Sequence, residues 1–194
     1  MNILGVAGPA RSGKDTFADA LMEVFLERKI KCQKTSFAEQ LKVECRDILM
    51  TYLGINSFTN DDEEKNIIRP LLVTWGTHVR RKLDNDCWIK SVESKIDSKK
   101  LTIVSDVRYE NEIDWVKKNN GYCFFIDRVL ADGSLVQPAN EEEIINNEIL
   151  KKKCDFHLTW KSIDDSKMLV AIAYEVLVKT VSEEELESWT QTYR

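Results

Sequence analysis

The sequence has no CxxC pair and no cluster of cysteine and histidine at metal-ligand spacing. Its five cysteines, Cys32, Cys45, Cys87, Cys123 and Cys154, lie far apart. Its two histidines, His78 and His157, cannot build a zinc site alone. An odd number of scattered thiols points to a reducing compartment. An excess of basic residues is missing too: 28 Lys and Arg face 33 Asp and Glu, a net charge of -5. General nucleic-acid binding is therefore not expected, although a small acidic protein can hold a local basic cleft for phosphate. No extended basic and aromatic stripe is present, which argues against action on bases within DNA. No apolar run is long enough to span a membrane. The start, "MNILGVAG", lacks the basic region and the length of a signal peptide. The expected location is the cytoplasm. There is no internal repeat and no low-complexity block.

What the chain does have is an alternation of short apolar runs with amphipathic stretches. Its 194 residues suit one sizeable core, and a single domain over 1–194 is expected. Strands are expected over 2–7, 31–37, 99–108, 122–128 and 155–160, as apolar or partly apolar runs. Helices are expected up to Arg28, over 38–54 with Gly54 as stop, over 67–83, 84–96, 111–121 with Gly121 as stop, and 164–180. Pro70 fits only a first turn of the 67–83 helix. The tail over 182–194 suits a short helix with Ser182 and Glu185 as a capping box. Residues 55–66 read as a surface loop. Residues 129–148 mix turn formers and acids without a long apolar face, and read as a loop or mobile flap. The expected product is an α/β fold, a mostly parallel sheet with helices on both faces. In such sheets ligands sit beyond the carboxyl ends of the strands.

The stretch "GPARSGKDTF" follows the first apolar run directly. From Gly8 to Lys14 it has the spacing G-x-x-x-x-G-K. Glycines there let the backbone curl so that successive N–H groups meet phosphate oxygens at the positive end of the next helix. Lys14 adds a full charge for the outer phosphates. Each charge-assisted hydrogen bond is worth about 1.5–3 kcal/mol, so several together hold a triphosphate. Asp15 stands where the usual pattern places Ser or Thr as a Mg²⁺ ligand, and Thr16 follows it. Asp15 either touches the metal through water or acts on the acceptor.

A nucleoside triphosphate site does not by itself say where the phosphate goes. A base-reading N/T-K-x-D, expected of a GTPase, is absent. In "TIVSDVRYENE" the strand ends in Asp106, followed by Arg108, Glu110 and Glu112. A carboxylate at a strand end holds Mg²⁺ through water or accepts a proton, or else only caps the next turn. An arginine two residues on reaches phosphate bidentately. Arg128, after an apolar strand and before the flap, is also placed for phosphate work.

"GPARSGKDT", "SFAEQLK", "IIRPLLVTWGTHVRRKLDNDCW" and "SDVRYENE", in this order, resemble the deoxynucleoside monophosphate kinases encoded by bacteriophages. The resemblance runs from the start to about Arg128, and more loosely through "NNEILKKKCDFHLTW". The SGKD variant with a strand-end SDxR also occurs in animal-type phosphomevalonate kinases. The resemblance implies a P-loop kinase fold, with acceptor-binding helices at about 37–97 and a lid at about 129–148. It implies that Gly8, Arg11, Ser12, Gly13, Lys14, Asp15 and Thr16 hold ATP. Phe37 and Lys42 would border the acceptor, and Arg69 would lie near the acceptor phosphate. Arg81 matches the next arginine, with Arg80 one residue away, and Trp88 would wall the base pocket. Arg108 and Glu112 join the substrate side. Read without the resemblance, Lys42, Arg80 and Arg81 equally suit solvated helix faces, and Trp75 and Trp88 a core.

The implied reaction is MgATP plus a deoxynucleoside monophosphate giving ADP and the diphosphate. Lys14, Asp15, Asp106, Arg108 and Arg128 would carry it, with Mg²⁺ held by Asp15, Thr16 and Asp106. The partner is a small-molecule nucleotide, without nucleic acid or membrane. A homodimer is compatible with the resemblance, and the host cytoplasm is the location if the gene is a phage's. Another small-molecule kinase, such as a phosphomevalonate kinase, and a nucleotide-binding protein without turnover remain open.

Overall fold

The computed structural model describes residues 2–138, 141–161 and 165–194. Along the chain run β1 (Ile3–Ala7), α1 (Lys14–Glu27) and β2 (Cys32–Thr35). Next come α2 (Ala38–Leu53), α3 (Asp62–Val73), a π-helical segment (Thr74–Arg80), α4 (Arg81–Leu83) and α5 (Cys87–Glu93). The remainder is β3 (Leu101–Val107), α6 (Glu110–Lys118), β4 (Tyr122–Val129) and α7 (Glu141–Lys153), then β5 (Phe156–Lys161), α8 (Ser166–Thr180) and α9 (Glu183–Thr192). The chain forms two compact units, Met1–Ser36 with Ile96–Arg194, and Phe37–Lys95.

The first unit holds one five-stranded sheet in the order β2-β3-β1-β4-β5, every pairing parallel. The α/β architecture expected from the alternating pattern is the one found. β1 is buried along its whole length, which is why its sequence is a continuous apolar run. Successive side chains of a strand point to opposite faces. Leu4 and Val6 join Phe17, Leu21 and Phe25 of α1 in the main core. A Cβ on the intervening Gly5 would lie 3.2 Å from Val116 of α6. The sheet is thus covered on both faces. The chain passes from one side of β1 to the other between β3 and β4, so the crevice at their carboxyl ends lies beside the end of β1.

Four expectations need correction in the elements. First, α3 begins inside the expected 55–66 loop. Asp61 caps it, its carboxylate accepting from the N–H groups of Glu63 and Glu64, both at 2.9 Å. Asp62, Glu63 and Glu64 then meet the positive helix end. Second, Pro70 lies well inside α3, where it withholds a backbone donor. The expected 67–83 helix is no single α-helix, because wide π turns take over from Thr74 to Arg80. Third, Gly121 does not stop α6, which ends at Lys118 with Asn119 as its cap. A Cβ on Gly121 would lie 2.0 Å from the Ile3 carbonyl oxygen, so β4 comes too close to β1 there for any side chain. Fourth, the 129–148 stretch is not loop throughout. After a turn closed by the Leu130 N–H on the Ser134 carbonyl at 2.8 Å, it enters α7 at Glu141. Ala139 and Asn140 of that stretch, and Asp164 at the start of the expected 164–180 helix, lie outside the described residues.

The capping box expected at Ser182 and Glu185 is half realised. Ser182 accepts from the Glu185 N–H at 3.2 Å, while the Glu185 carboxylate accepts from the Tyr122 hydroxyl at 2.7 Å. The helical unit, Phe37–Lys95, has its own small core of Cys45, Leu49, Ile55 and Ile68. Gly76 lets the π-helical segment meet α2, since a Cβ there would lie 2.9 Å from Leu41 Cδ2. Among the described residues no helix is long and apolar enough to cross a membrane.

Gly121→Ala should cost about 1–3 kcal/mol, because the clash is with backbone that cannot rotate away. Urea unfolding of the variant measures the loss, and an unchanged midpoint would contradict the close approach of β4 to β1.

Candidate functional site

The segment between β1 and α1 departs sharply from ordinary backbone. Gly8 has φ 142°, Arg11 φ 64° and Gly13 φ 92°. Packing adds to the demand for glycine. A Cβ on Gly8 would lie 2.3 Å from the Ile126 carbonyl oxygen, and one on Gly13 2.7 Å from Trp160 Cζ2. The Trp160 indole N–H also donates to the Ser12 carbonyl at 2.9 Å. Trp160, at the far end of β5, is thus the floor of the loop. The Ser12 hydroxyl is fully buried and has no hydrogen-bond partner among the described residues.

Lys14 is only 7% exposed. Its ammonium donates to the carbonyls of Gly8 at 2.8 Å and Pro9 at 2.6 Å, so it lies across the mouth of the curl. Its pKa comes down from 10.5 to about 7. Burial is the main cause and the like charge of Arg108 the second. Glu143, Asp106 and Asp15 oppose the shift. Those four charged groups therefore lie within electrostatic reach of Lys14, and Asp15, Asp106 and Arg108 are among them. Asp15 and Thr16 are exposed in the first turn of α1, and Asp106 is half-buried near the end of β3. The Arg128 guanidinium reaches the same loop, donating to the Arg11 carbonyl at 3.4 Å.

Glu112 plays a different part from the substrate contact expected of it. It is fully buried, and its carboxylate accepts from the N–H groups of Arg108 at 2.6 Å and Tyr109 at 3.0 Å. It fixes the turn that carries Arg108 and starts α6. Glu143 was not foreseen. It accepts from the Ala10 N–H at 3.1 Å and pairs with Arg108 at 3.3 Å. Beside it the Glu142 carboxylate accepts from the Tyr109 hydroxyl at 3.1 Å. No sequence signal marks Glu143 among three consecutive acids, whereas Trp160 at the end of an expected strand could have been suspected.

The other expected residues belong to the helical unit. Phe37 is buried immediately before α2. The Lys42 ammonium lies over the Phe58 ring, 5.5 Å from its centre. Arg69 is half-buried on α3. Arg80 pairs with Glu44 at 3.1 Å and stacks on Trp88 at 5.6 Å. Arg81 donates to the Asn85 carbonyl at 3.2 Å. Trp88 is 3% exposed and donates to the Gly76 carbonyl at 3.4 Å. That burial corrects its role: it is a packed support beneath Arg80 rather than an open wall for a base.

Among the described residues no group of three or more His, Cys, Asp or Glu is assembled to hold a metal. A Mg²⁺ bound with a nucleotide keeps several waters and takes phosphate oxygens with only one or two carboxylates. The carboxylates of Asp15 and Asp106 fit that smaller requirement.

A model of the phosphomevalonate kinase family matches residues 6–122. A putative deoxynucleotide monophosphate kinase of Acanthamoeba polyphaga mimivirus is 28% identical over 154 residues, 66% of this chain and 75% of its own. A shikimate kinase from Acinetobacter baumannii, in complex with shikimate, superposes over 92% of each chain at 10% identity with a TM-score of 0.46. A gluconokinase from Sinorhizobium meliloti 1021 covers 96% of this chain and 97% of its own, at 11% identity and a TM-score of 0.45.

The lowered pKa of Lys14 has a stability consequence. The unfolded chain, titrating near 10.5, binds a proton that the fold releases at about 7. Stability therefore rises with pH between those values, and the cost of the buried charge is felt in full below about 7. Between about pH 7 and pH 10, the melting-temperature difference between wild type and Lys14→Met should move several degrees in favour of the wild type. A difference constant with pH would show that the ammonium is not desolvated.

Proposed function

The chain belongs to the phosphomevalonate kinase family, and from that premise we propose that it is an ATP-dependent kinase whose acceptor is a deoxynucleoside monophosphate. The observation that carries the donor half is the gathering of Lys14, Asp106 and Arg108 around the glycine curl at the end of β1. Phosphoryl transfer asks little covalent chemistry of a protein. It asks for alignment, charge neutralisation and exclusion of water. Backbone N–H groups between Ala10 and Lys14, together with the Lys14 ammonium, would hold the donor phosphates. Arg128, against the Arg11 carbonyl, steadies the outer side of the curl. Asp15, Asp106 and the Thr16 hydroxyl would hold Mg²⁺, which supplies charge neutralisation when bound. An acceptor phosphate is already ionised near neutral pH, so no strong general base is required.

For the acceptor, the resemblance supports Arg69 and Arg81 of the helical unit as the guanidiniums for its phosphate and Lys42 as a bordering cation, while Phe37, 4% exposed, would support that border from within. The nucleotide choice is supported by the mimivirus relative, whose name is that of a deoxynucleotide monophosphate kinase. The segments "FAEQLK" and "GTHVRR" point the same way. A second reading, mevalonate 5-phosphate as acceptor, is favoured by the family match itself.

Coupled detection of ADP across the deoxynucleoside monophosphates and mevalonate 5-phosphate distinguishes the two. Turnover of at least one nucleotide is expected; turnover of mevalonate 5-phosphate alone would replace the proposal by the second reading, and turnover of none would remove both. Lys14→Ala should lower kcat at least about a hundredfold, the scale for loss of one preorganised charge donor, while far-UV circular dichroism stays unchanged. Arg69→Ala should raise the KM for the acceptor about tenfold or more and leave ATP affinity alone. Equal loss for both substrates would take Arg69 out of the acceptor site.

A further inference from the structure

We propose that Glu143 is a resident counter-anion of the phosphate loop, which the incoming triphosphate must displace and which thereby holds Arg108 in reserve. Its carboxylate takes two donors that a phosphate oxygen would use: the Ala10 N–H at 3.1 Å and the Arg108 guanidinium at 3.3 Å. The Glu143 side chain is only 11% exposed against 47% for Arg108, so the carboxylate is the sheltered partner of the pair. It also lies close enough to Lys14 to offset part of the cost of burying that ammonium. Its neighbour Glu142, accepting from the Tyr109 hydroxyl at 3.1 Å, anchors the same first turn of α7 to the segment that carries Arg108.

The physical argument is one of exchange. An N–H donor serves one strong acceptor at a time, and a carboxylate cannot share a desolvated position with a polyphosphate without strong like-charge repulsion. When the triphosphate settles on the loop amides, Glu143 has to leave Ala10. Arg108 then loses its carboxylate and pairs with phosphate instead. The nucleotide's apparent affinity is reduced by the fraction of molecules in which Glu143 lies on the loop. The same contact keeps Arg108 from other anions until the donor is in place.

The inference rests on the loop being a triphosphate site, and the test separates the two. Titration calorimetry with a non-hydrolysable ATP analogue and magnesium would be run on wild type, Glu143→Gln, Glu143→Ala and Glu142→Gln. Both Glu143 variants should bind about three- to tenfold more tightly than wild type. Glu142→Gln removes the same charge one residue away and should stay within about twofold. Circular dichroism and melting curves establish that each variant is folded, and Glu143→Ala covers the case in which the glutamine amide still accepts from Ala10. Unchanged or weaker binding in both Glu143 variants overturns the exchange while leaving the kinase reading intact. An equal gain in Glu142→Gln also overturns it, because bulk charge would then be the cause. Failure of the wild type and every variant to bind the analogue would overturn the triphosphate site together with this inference.

Discussion

A buried ammonium organises one end of this sheet. Lys14 is brought out of water by the curl between β1 and α1, and its proton is held weakly enough for the pKa to reach about 7. Carbonyls of Gly8 and Pro9 take two of its hydrogens. The carboxylates of Glu143, Asp106 and Asp15 supply opposing charge from three different elements. Removing a cation from water costs more than such contacts return unless charge is supplied close by. Burial, rather than a lack of carboxylates nearby, is therefore what weakens the hold of Lys14 on its proton.

The same curl is constrained from beneath. Ile126 within β4 and Trp160 on β5 come so close to Gly8 and Gly13 that neither position admits a Cβ. Both strands lie on the β4 side of β1, so the register of two parallel pairings sets the floor of the loop. The glycines therefore answer two demands: the positive φ of the curl and close packing below it. On the opposite flank the buried Glu112 holds the N–H groups of Arg108 and Tyr109, which aims the turn after β3 at the loop. Fold and site are built from the same contacts here. The helical unit carries its own logic, in which Pro70 and the π turns from Thr74 to Arg80 set the spacing of Trp75, Arg80 and Arg81.

Much of this was legible locally. The fully buried strands read as apolar runs because both faces are covered, and the G-x-x-x-x-G-K spacing announces its backbone by steric need alone. Illegibility began where amphipathic periodicity was weak. α7 buries only Asn147 and Leu150 among its described side chains, so no apolar stripe betrayed it, although acids at its start and lysines at its end suit the helix dipole. α3 hid behind a polar run whose first acid is a cap. The sequence offers Trp88 and Glu112 as site residues, yet Trp88 is packed beneath Arg80 and Glu112 is a buried cap.

By itself the sequence determined the parallel α/β architecture and the glycine curl after β1, since each depends on neighbours within a few positions. The tertiary structure alone decided which acid faces the loop, what lies under Gly13, and why only glycine fits at 121, just before β4. Those answers come from segments more than a hundred residues apart, brought together by the order of strands in the sheet. Three adjacent glutamates are equivalent in one dimension; strand order and helix phase make one of them the partner of Ala10 and Arg108.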